Sequence, residues 1–286
     1  MADFPANLAV IGHPIAHSVS PVMHQAAFRE LGINACYTGY DVAPERLHEV
    51  VDAMQVLNFR GWNVTIPHKV AIMSLLDEYT LAAKRIGAVN TVYFQDGLWV
   101  GDNTDGQGYL SSLSQELSFD VRGKHVVVLG AGGAAKAIAD ALLFAGVEAL
   151  WILNRHREKA EALASQLAVH HPRITIVGSD MVWPSSRVDL VINTTPVGME
   201  GHLTGELPVP ASVLQEHMIV SDLVYRPQVT PLLQAAQLAG AKTHGGLGML
   251  VEQGALAFTK WFGITPSIAV MREAALQEMR KGQFLS

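Results

Sequence analysis

The chain of 286 residues contains very little cysteine and little charge. Its single cysteine, Cys36, excludes internal disulfides and metal sites built from several thiolates, and is typical of a reduced, cytoplasmic compartment. Charged residues make up 16% of the chain and the formal net charge is −6. Because non-specific nucleic-acid binding needs a basic face, no nucleic-acid partner is expected.

The sequence also lacks a membrane-spanning run and a metal-binding spacing. The apolar stretch from Ala141 to Leu153 is interrupted by Gly146 and Glu148 and is too short to cross a bilayer, so no membrane partner is expected. Residues 1–5 contain no basic segment followed by an apolar one, so no signal peptide is expected. No His-Glu-x-x-His or similar spacing occurs, so no metal site is expected. Four histidines are interpreted as packing or rim residues: His13, His17, His24 and His68.

Hydrophobic residues make up 49% of the chain, enough for an α/β protein of two domains with large cores. In the first hundred residues, strand and helix patterns alternate. Ser20 is predicted as a helix N-cap, Pro67 as the first residue of a further helix, and Asp96-Gly97 as a hairpin turn. The pattern predicts strands at 8–11, 35–42, 62–65, 91–94 and 98–100 and helices at 20–31 and 44–57.

The alternation resumes after a helix predicted near 108–117 and indicates a doubly wound parallel sheet. The last segments, 248–262 and 266–281, are predicted helices that pack back on the first domain and make it discontinuous. Both halves are expected to be open twisted sheets. Predicted strands are 125–129, 150–153, 174–177, 189–193 and 219–223, and predicted helices are 134–145, 157–169 and 230–239.

A glycine-rich loop joins the predicted strand 125–129 to the helix after it: Gly130, Ala131, Gly132, Gly133, Ala134 and Ala135. Glycines at such a junction let the backbone turn sharply and approach a pyrophosphate at the helix N-terminus. A tight turn in an ordinary α/β domain is the alternative. The context of strand, loop and helix favours a dinucleotide cofactor.

The end of the next predicted strand indicates which dinucleotide is bound. NAD enzymes usually carry an acid there, whereas this chain has Asn154 followed by Arg155, His156 and Arg157, with Lys159 nearby. A guanidinium pairs with a 2′-phosphate that a carboxylate would repel. The sequence therefore favours NADP(H), and NAD stays an alternative.

A polar group of residues precedes the glycine loop and includes Asn63, Thr65, Lys69, Asn90 and Asp105. Carboxamides and hydroxyls pair with ring hydroxyls, and a lysine oriented by a carboxylate stabilises a carbonyl oxygen that becomes an alkoxide. Singly, each has a structural explanation: a surface lysine, a turn amide or a helix N-cap. Two serines are candidates for holding a substrate carboxylate: Ser18 and Ser20.

Seven segments together resemble the shikimate/quinate dehydrogenase family, over about residues 8–262. They are 12–21, 63–69, 87–91, 103–106, 130–135, 193–199 and 246–253. The resemblance implies reversible reduction of 3-dehydroshikimate to shikimate with NADPH. It also implies a substrate domain formed by residues 1–106 plus 245–286, a Rossmann-type NADP-binding domain at 107–244, and a cleft between them.

The same resemblance implies roles for individual residues. Lys69 and Asp105 match the catalytic pair of the family. Residues matching its substrate site are Ser18, Ser20, Thr65, Asn90, Asp105, Tyr225 and Gln253. Residues matching its cofactor site are Gly130, Ala131, Gly132, Gly133, Ala134, Asn154, Arg155, His156, Thr194, Thr195, Pro196, Val197, Gly246 and Met249.

His156 departs from the family pattern, which commonly has Thr or Ser after Asn-Arg. Quinate, or a related cyclohexane or cyclohexene acid, is the alternative substrate. A ligand-sensing homologue without catalysis is the alternative from another class, and the presence of Lys69 and Asp105 argues against it. The quaternary structure is expected to be a monomer or a homodimer.

Overall fold

The structure is a computed structural model that describes residues 4–172, 174–185, 187–201 and 205–283. The chain forms two compact units, Met1–Thr104 with Val251–Ser286, and Asp105–Leu250. The predicted domain boundaries lie after residue 106 and before residue 245. Residues 1–3 and 284–286 lie outside the described residues. The first three belong to the segment in which the sequence shows no signal-peptide pattern.

The first unit contains a mixed six-stranded sheet in the order β2-β1-β3-β5-β6-β4. Its strands are β1 (Ala6–Gly12), β2 (Ala35–Asp41), β3 (Gly61–Val64), β4 (Glu78–Tyr79), β5 (Thr91–Gln95) and β6 (Leu98–Asp102). Its helices are α1 (Ser20–Leu31), α2 (Leu47–Val56) and α3 (Leu81–Ile86), with 3₁₀ turns at Pro44–Arg46 and Ala71–Leu75. The hairpin turn between β5 and β6 has positive φ at Asp96 and Gly97, as its sequence predicts.

Strand directions bring several chain segments to one edge of this sheet. β1 runs parallel to β2 and β3, so the loops after β1 and β3 leave at the same edge. β5 is antiparallel to β3, and β6 is antiparallel to β5. The start of β5 and the end of β6 therefore lie at this edge too, and we call it the polar edge.

The second unit contains a six-stranded parallel sheet in the order β12-β11-β10-β7-β8-β9, a doubly wound arrangement. Its strands are β7 (His125–Leu129), β8 (Ala149–Leu153), β9 (Thr175–Ser179), β10 (Leu190–Asn193), β11 (Ile219–Asp222) and β12 (Lys242–Gly245). Its helices are α4 (Asp105–Leu117), α5 (Gly133–Phe144), α6 (Arg157–Ala168) and α7 (Pro231–Leu238). Buried Val, Leu and Ile side chains cover both faces, as continuous apolar strands require.

Helix α8 (Gly246–Phe262) begins in the second unit and continues into the first, where α9 (Ile268–Gln283) follows. In the first unit, Trp261 of α8 donates from its indole Nε1 to the carbonyl oxygen of Val92, 2.9 Å away. A Cβ at Gly61 would overlap this indole, so the glycine allows α8 to approach β3. No helix among the described residues is long and apolar enough to cross a membrane.

Two local predictions were wrong. Pro67 does not start a helix, because Pro67–Val70 form a turn in which the Lys69 carbonyl accepts from the backbone amide of Val89 at 2.7 Å. This distant partner replaces the local bond that a helix would need. Ser20 is not an N-cap but the first residue of α1, preceded by Val19 without a side-chain cap.

Other elements differ from the predictions in extent. Helix α4 begins at Asp105, three residues before the predicted start. Three short elements were missed, namely α3, β4 and β12. Helix α3 has a clear start signal, since the hydroxyl of Thr80 accepts from the amide of Ala83 at 3.2 Å.

Candidate functional site

The polar edge of the first unit carries a buried network of amides and hydroxyls. Asn63, in β3, donates from Nδ2 to the carbonyl oxygen of Asn90 and to Oγ1 of Thr91, each at 3.1 Å. Its Oδ1 accepts a 2.6 Å hydrogen bond from the hydroxyl of Tyr37. Asn63 therefore holds the backbone of Asn90 in place from inside the core.

Asn90 is held from several sides. Its Oδ1 accepts from the backbone amide of Thr104 at 2.8 Å, and its Nδ2 donates to Thr104 Oγ1 at 3.0 Å. The same Nδ2 lies 3.3 Å from Oε1 of Gln253, on α8, and Thr104 Oγ1 donates to the Gln253 carbonyl oxygen at 3.1 Å. The side chain of Asn90 is thus fixed in a network rather than in an isolated turn.

The loops after β1 and β3 meet directly at the polar edge. The backbone amide of His13 donates to the carbonyl oxygen of Ile66 at 2.9 Å. A Cβ at Gly12 would overlap the methyl group of Thr65, so the glycine lets the two loops approach. These contacts bring the segment containing Ser18 and the segment containing Lys69 to the same edge of the sheet.

Lys69 lies half-buried in the turn after β3. Its neighbour His68 is fully buried, with Nε2 2.7 Å from the carbonyl oxygen of Val42. His68 therefore anchors the turn as a packing residue, and Lys69 occupies a defined backbone position.

Ser18 and Ser20 lie where the loop after β1 enters α1. The hydroxyl oxygen of Ser18 accepts from the backbone amide of Ser20 at 3.3 Å. Its hydroxyl proton remains for another acceptor, since a serine hydroxyl both donates and accepts. Ser20 is buried, whereas Ser18 is half-buried.

Asp105 is the first residue of α4 and belongs to the second unit, directly after Thr104 in the chain. It is buried, with 3% of its surface exposed. A carboxylate in the first turn of a helix is favoured by the helix dipole.

The glycine loop of the second unit joins β7 to α5. The amide of Gly130 donates to the carbonyl oxygen of Leu153 at 2.8 Å, and its φ of +110° strongly favours glycine. A Cβ there would lie 2.5 Å from Oγ1 of Thr194. At Gly132 a Cβ would meet nothing within 4 Å, so the backbone faces open space at the N-terminus of α5. The first amides of a helix have no partner within it, and such a position suits a pyrophosphate.

The remaining predicted loop residues occupy the same region of the chain. Ala131 lies between Gly130 and Gly132, and Gly133 and Ala134 open α5. β7 lies between β10 and β8, so the loops after these three strands leave at the carboxyl edge of the sheet. This is the topological switch point, where open α/β sheets bind ligands.

The loop after β10 is held by a buried pair, Asn193 and Asp222, of which the sequence motifs include only Asn193. Asn193 Oδ1 accepts from the amide and the hydroxyl of Thr195, at 3.0 and 2.6 Å. Its Nδ2 donates to Asp222 Oδ1 at 2.9 Å and lies 3.3 Å from the carbonyl oxygen of Val197. Thr194 and Pro196 complete this loop.

The Asp222 carboxylate is fully buried and also accepts from Thr230 Oγ1 at 2.6 Å and the amide of Val224 at 3.0 Å. Burial raises the pKa of Asp222 to about 6, although these hydrogen bonds oppose the change. The only sequence signal for this residue was its position three residues before Tyr225.

The basic side chains of the turn after β8 differ in whether they are paired with an acid. Asn154 Nδ2 donates to the carbonyl oxygen of His156 at 2.9 Å and shapes the turn. Arg157 is paired with Glu161 at 2.7 Å. Arg155 is exposed and has no salt bridge to any described residue. Arg155 is therefore the guanidinium best able to meet an added phosphate.

Three other predicted residues come after β11 and β12, which run parallel to β10 and end at the same edge of the sheet. Tyr225 follows β11 half-buried, and burial raises its pKa while Arg226 opposes the change. Gly246, where a Cβ would overlap the backbone of Leu223, begins α8. Met249 packs into the core of the second unit with 8% of its surface exposed. Among the described residues, no group of three or more His, Cys, Asp or Glu side chains could hold a metal ion.

Three family models match the chain. They are "Shikimate dehydrogenase substrate binding domain" at residues 10–92, "Shikimate / quinate 5-dehydrogenase" at 112–197 and "Shikimate 5'-dehydrogenase C-terminal domain" at 246–276. The chain is 46% identical to the shikimate dehydrogenase (NADP(+)) of Methanopyrus kandleri over 277 residues, covering 96% of each chain.

Solved structures show the same similarity. A crystal structure of a shikimate dehydrogenase in complex with NADP+ matches with a TM-score of 0.91 and 43% identity, over 96% of each chain. The shikimate 5-dehydrogenase of Thermus thermophilus, in complex with NADP(H) and shikimate, matches with a TM-score of 0.86 and 38% identity. That match covers 96% of this chain and 99% of the other.

Proposed function

Since the chain belongs to the shikimate/quinate dehydrogenase family, we infer that it is an NADP-dependent oxidoreductase acting on a CH–OH group. Its reaction is the reversible reduction of 3-dehydroshikimate to shikimate. The observation that carries this conclusion is the 46% identity to a shikimate dehydrogenase (NADP(+)) over 96% of both chains.

The substrate is a hydroxylated cyclohexene carboxylate, and we propose that the polar edge binds it. The hydroxyl proton of Ser18 would meet the substrate carboxylate, with Ser20 beside it. The carboxamides of Asn90 and Gln253 would pair with ring hydroxyls. Thr65 and Tyr225 complete the proposed substrate site, and Asp105 shares it. The buried network around Asn90 supports this proposal because it holds the amide in one orientation before a ligand arrives.

We propose Lys69 and Asp105 as the catalytic pair. The Lys69 ammonium would hydrogen-bond the carbonyl oxygen and supply the proton as that oxygen becomes an alkoxide. Asp105 would orient this lysine and accept a hydrogen bond from a neighbouring substrate hydroxyl. The buried position of Asp105 at the start of α4, directly after Thr104 of the Asn90 network, supports its role.

The cofactor is NADP, which supplies or accepts the hydride when it is bound. The residues of the glycine loop fit its pyrophosphate, because Gly132 faces open space at the N-terminus of α5. We propose that Arg155, with Asn154 and His156, holds the 2′-phosphate. Residues Thr194–Val197, Gly246 and Met249 would line the nicotinamide side.

We further propose that residues 1–106 and 245–286 form the substrate domain and residues 107–244 the dinucleotide domain. The enzyme would act in the cytoplasm as a monomer or a homodimer, without a membrane or nucleic-acid partner. The net charge of −6 and the single cysteine support this assignment.

The test is oxidation of shikimate and of quinate, each with NADP and with NAD, followed by the absorbance of the reduced cofactor. We expect the highest kcat/KM for shikimate with NADP. A higher kcat/KM for quinate would identify a paralogue of this family. Binding of shikimate without turnover in any combination would identify a sensing homologue instead.

A further inference from the structure

An ion pair joins the last part of helix α8 to the end of strand β6 in the first unit. Lys260 Nζ lies 2.9 Å from Asp102 Oδ2, and 9% of the Asp102 side chain is exposed. The other carboxylate oxygen accepts from Thr80 Oγ1 at 2.6 Å and from the amide of Asn103 at 2.7 Å. A nearly buried carboxylate thus has both oxygens engaged, one of them by the ammonium of Lys260.

Asp102 is directly connected to the proposed substrate site through its backbone. Its carbonyl oxygen accepts from the amide of Asn90 at 3.0 Å. Two residues later, the amide of Thr104 donates to Asn90 Oδ1 at 2.8 Å. A shift of Asp102 would therefore move both backbone groups that orient Asn90.

Helix α8 is attached at a second point. Gln253 precedes Lys260 by seven residues, which places the two on the same helix face about 10 Å apart along the axis. Gln253 contacts Asn90 and Thr104, while Lys260 contacts Asp102. Together with the hydrogen bond from Trp261 to Val92, these contacts fix the rotation and the height of α8 against the sheet.

We propose that Lys260 and Asp102 are positioning residues for substrate binding. Their ion pair sets the rotation of α8 so that Gln253 meets Asn90 in the geometry that the substrate needs. The proposal rests on the proposed function, in which Asn90 and Gln253 bind the substrate. In this proposal, Lys260 and Asp102 act through Asn90 and Gln253 and do not contact the substrate themselves.

The charges of the pair favour this role. Burial lowers the pKa of Lys260, but the hydrogen bond and charge of Asp102, with Tyr93 nearby, raise the pKa overall, so the ammonium stays charged. Removing the cation would leave a nearly buried carboxylate without its counter-ion, which is strongly destabilising. We expect the Asp102 side chain to move to relieve this cost and to displace the end of β6, whose Asp102 carbonyl oxygen holds the amide of Asn90.

The test compares Lys260→Met, Lys260→Arg and Asp102→Asn with the wild type. We expect Lys260→Met to raise KM for shikimate about five- to tenfold, with a smaller change in kcat and an unchanged KM for NADP. Lys260→Arg, which keeps the charge, should restore KM for shikimate. The double variant Asp102→Asn with Lys260→Met should raise KM for shikimate no further than the single variant with the larger effect.

The matched control is Lys281→Met, which removes an exposed lysine paired with Glu278 at 3.2 Å on α9. Its KM for shikimate should equal that of the wild type. If Lys260→Met also kept the wild-type KM, or changed the melting temperature alone, the proposal would be overturned.

A second measurement separates this proposal from the proposed function. In a crystal structure of ligand-free Lys260→Met, Nδ2 of Asn90 and Oε1 of Gln253 should lie beyond hydrogen-bond distance, compared with 3.3 Å in the native chain. An unchanged contact would contradict the positioning role. If the wild type failed to oxidise shikimate, the proposed function would fail, and this structure would still decide the role of the ion pair.

Discussion

His24 is a buried histidine whose replacement should reduce the sensitivity of the enzyme to acid. Its ring lies on α1 inside the first unit and stacks on Tyr37 with centroids 4.3 Å apart, with Phe258 6.2 Å away on another side. Neither ring nitrogen has a hydrogen-bond partner among the described residues. Burial lowers the pKa of His24 from 6.5 to about 3, so the ring is neutral in the folded protein.

The direction of the pH effect follows from proton linkage. Below about pH 6.5 the unfolded chain takes up a proton at His24 that the folded protein does not bind, so stability falls as the pH falls toward about 3. At about pH 5 this uptake costs ~2 kcal/mol relative to neutral pH. This cost is set by the pKa of His24 in the unfolded chain, because the pKa in the folded protein lies well below pH 5.

The perturbation is His24→Phe, which keeps a stacked ring and removes both unpaired nitrogens. Urea unfolding followed by circular dichroism at neutral pH and at about pH 5 gives the loss of unfolding free energy for each protein. The wild type should lose ~2 kcal/mol more than the variant. His48→Gln, which removes an exposed histidine beside Asp52, is the control and should behave like the wild type. An equal loss in the wild type and His24→Phe would show that burial of neutral His24 is not a source of the acid sensitivity.

Three further predictions concern the proposed site. Lys69→Ala should lower kcat by ~10²–10⁴ with a small change in KM, whereas a rise in KM alone would make Lys69 a binding residue only. Gly130→Ala should lower the melting temperature, because the positive φ of Gly130 and its closeness to Thr194 exclude a side chain. Gly132→Ala should keep the wild-type melting temperature and raise KM for NADP. Equal melting temperatures of the two variants would contradict this. Arg155→Ala should raise KM for NADP about tenfold more than KM for NAD, and equal changes would remove Arg155 from the phosphate site.

The sequence was most informative about the second unit. Strands β7, β8, β10 and β11 are largely apolar runs between turn residues, and they alternate with helices along the chain, so the doubly wound parallel sheet was predicted correctly. The short elements α3, β4 and β12 were missed because they contain too few residues for a periodic pattern.

The error at Pro67 has a different origin. A proline suits the first turn of a helix, so the local signal was genuine. The structure instead pairs the Lys69 carbonyl with Val89, and buries His68 against Val42. Contacts between residues this far apart in the chain cannot be deduced from local propensity.

The same limit applies to the site. The family motifs indicated Asn90 and Gln253, but the partners that hold these residues come from distant segments of the chain. Thr104 and Asp102 contact Asn90 across the sheet, and Asp222 reaches Asn193 from the neighbouring strand. Such supporting residues appear only when strand order and register are known.

The most direct test of the central claim is the initial rate of NADPH formation when the purified wild-type protein is mixed with shikimate and NADP. We expect rapid formation that stops when NADP is omitted and is lost in Lys69→Ala. A folded wild-type protein that binds NADP and shikimate but forms no NADPH would contradict it.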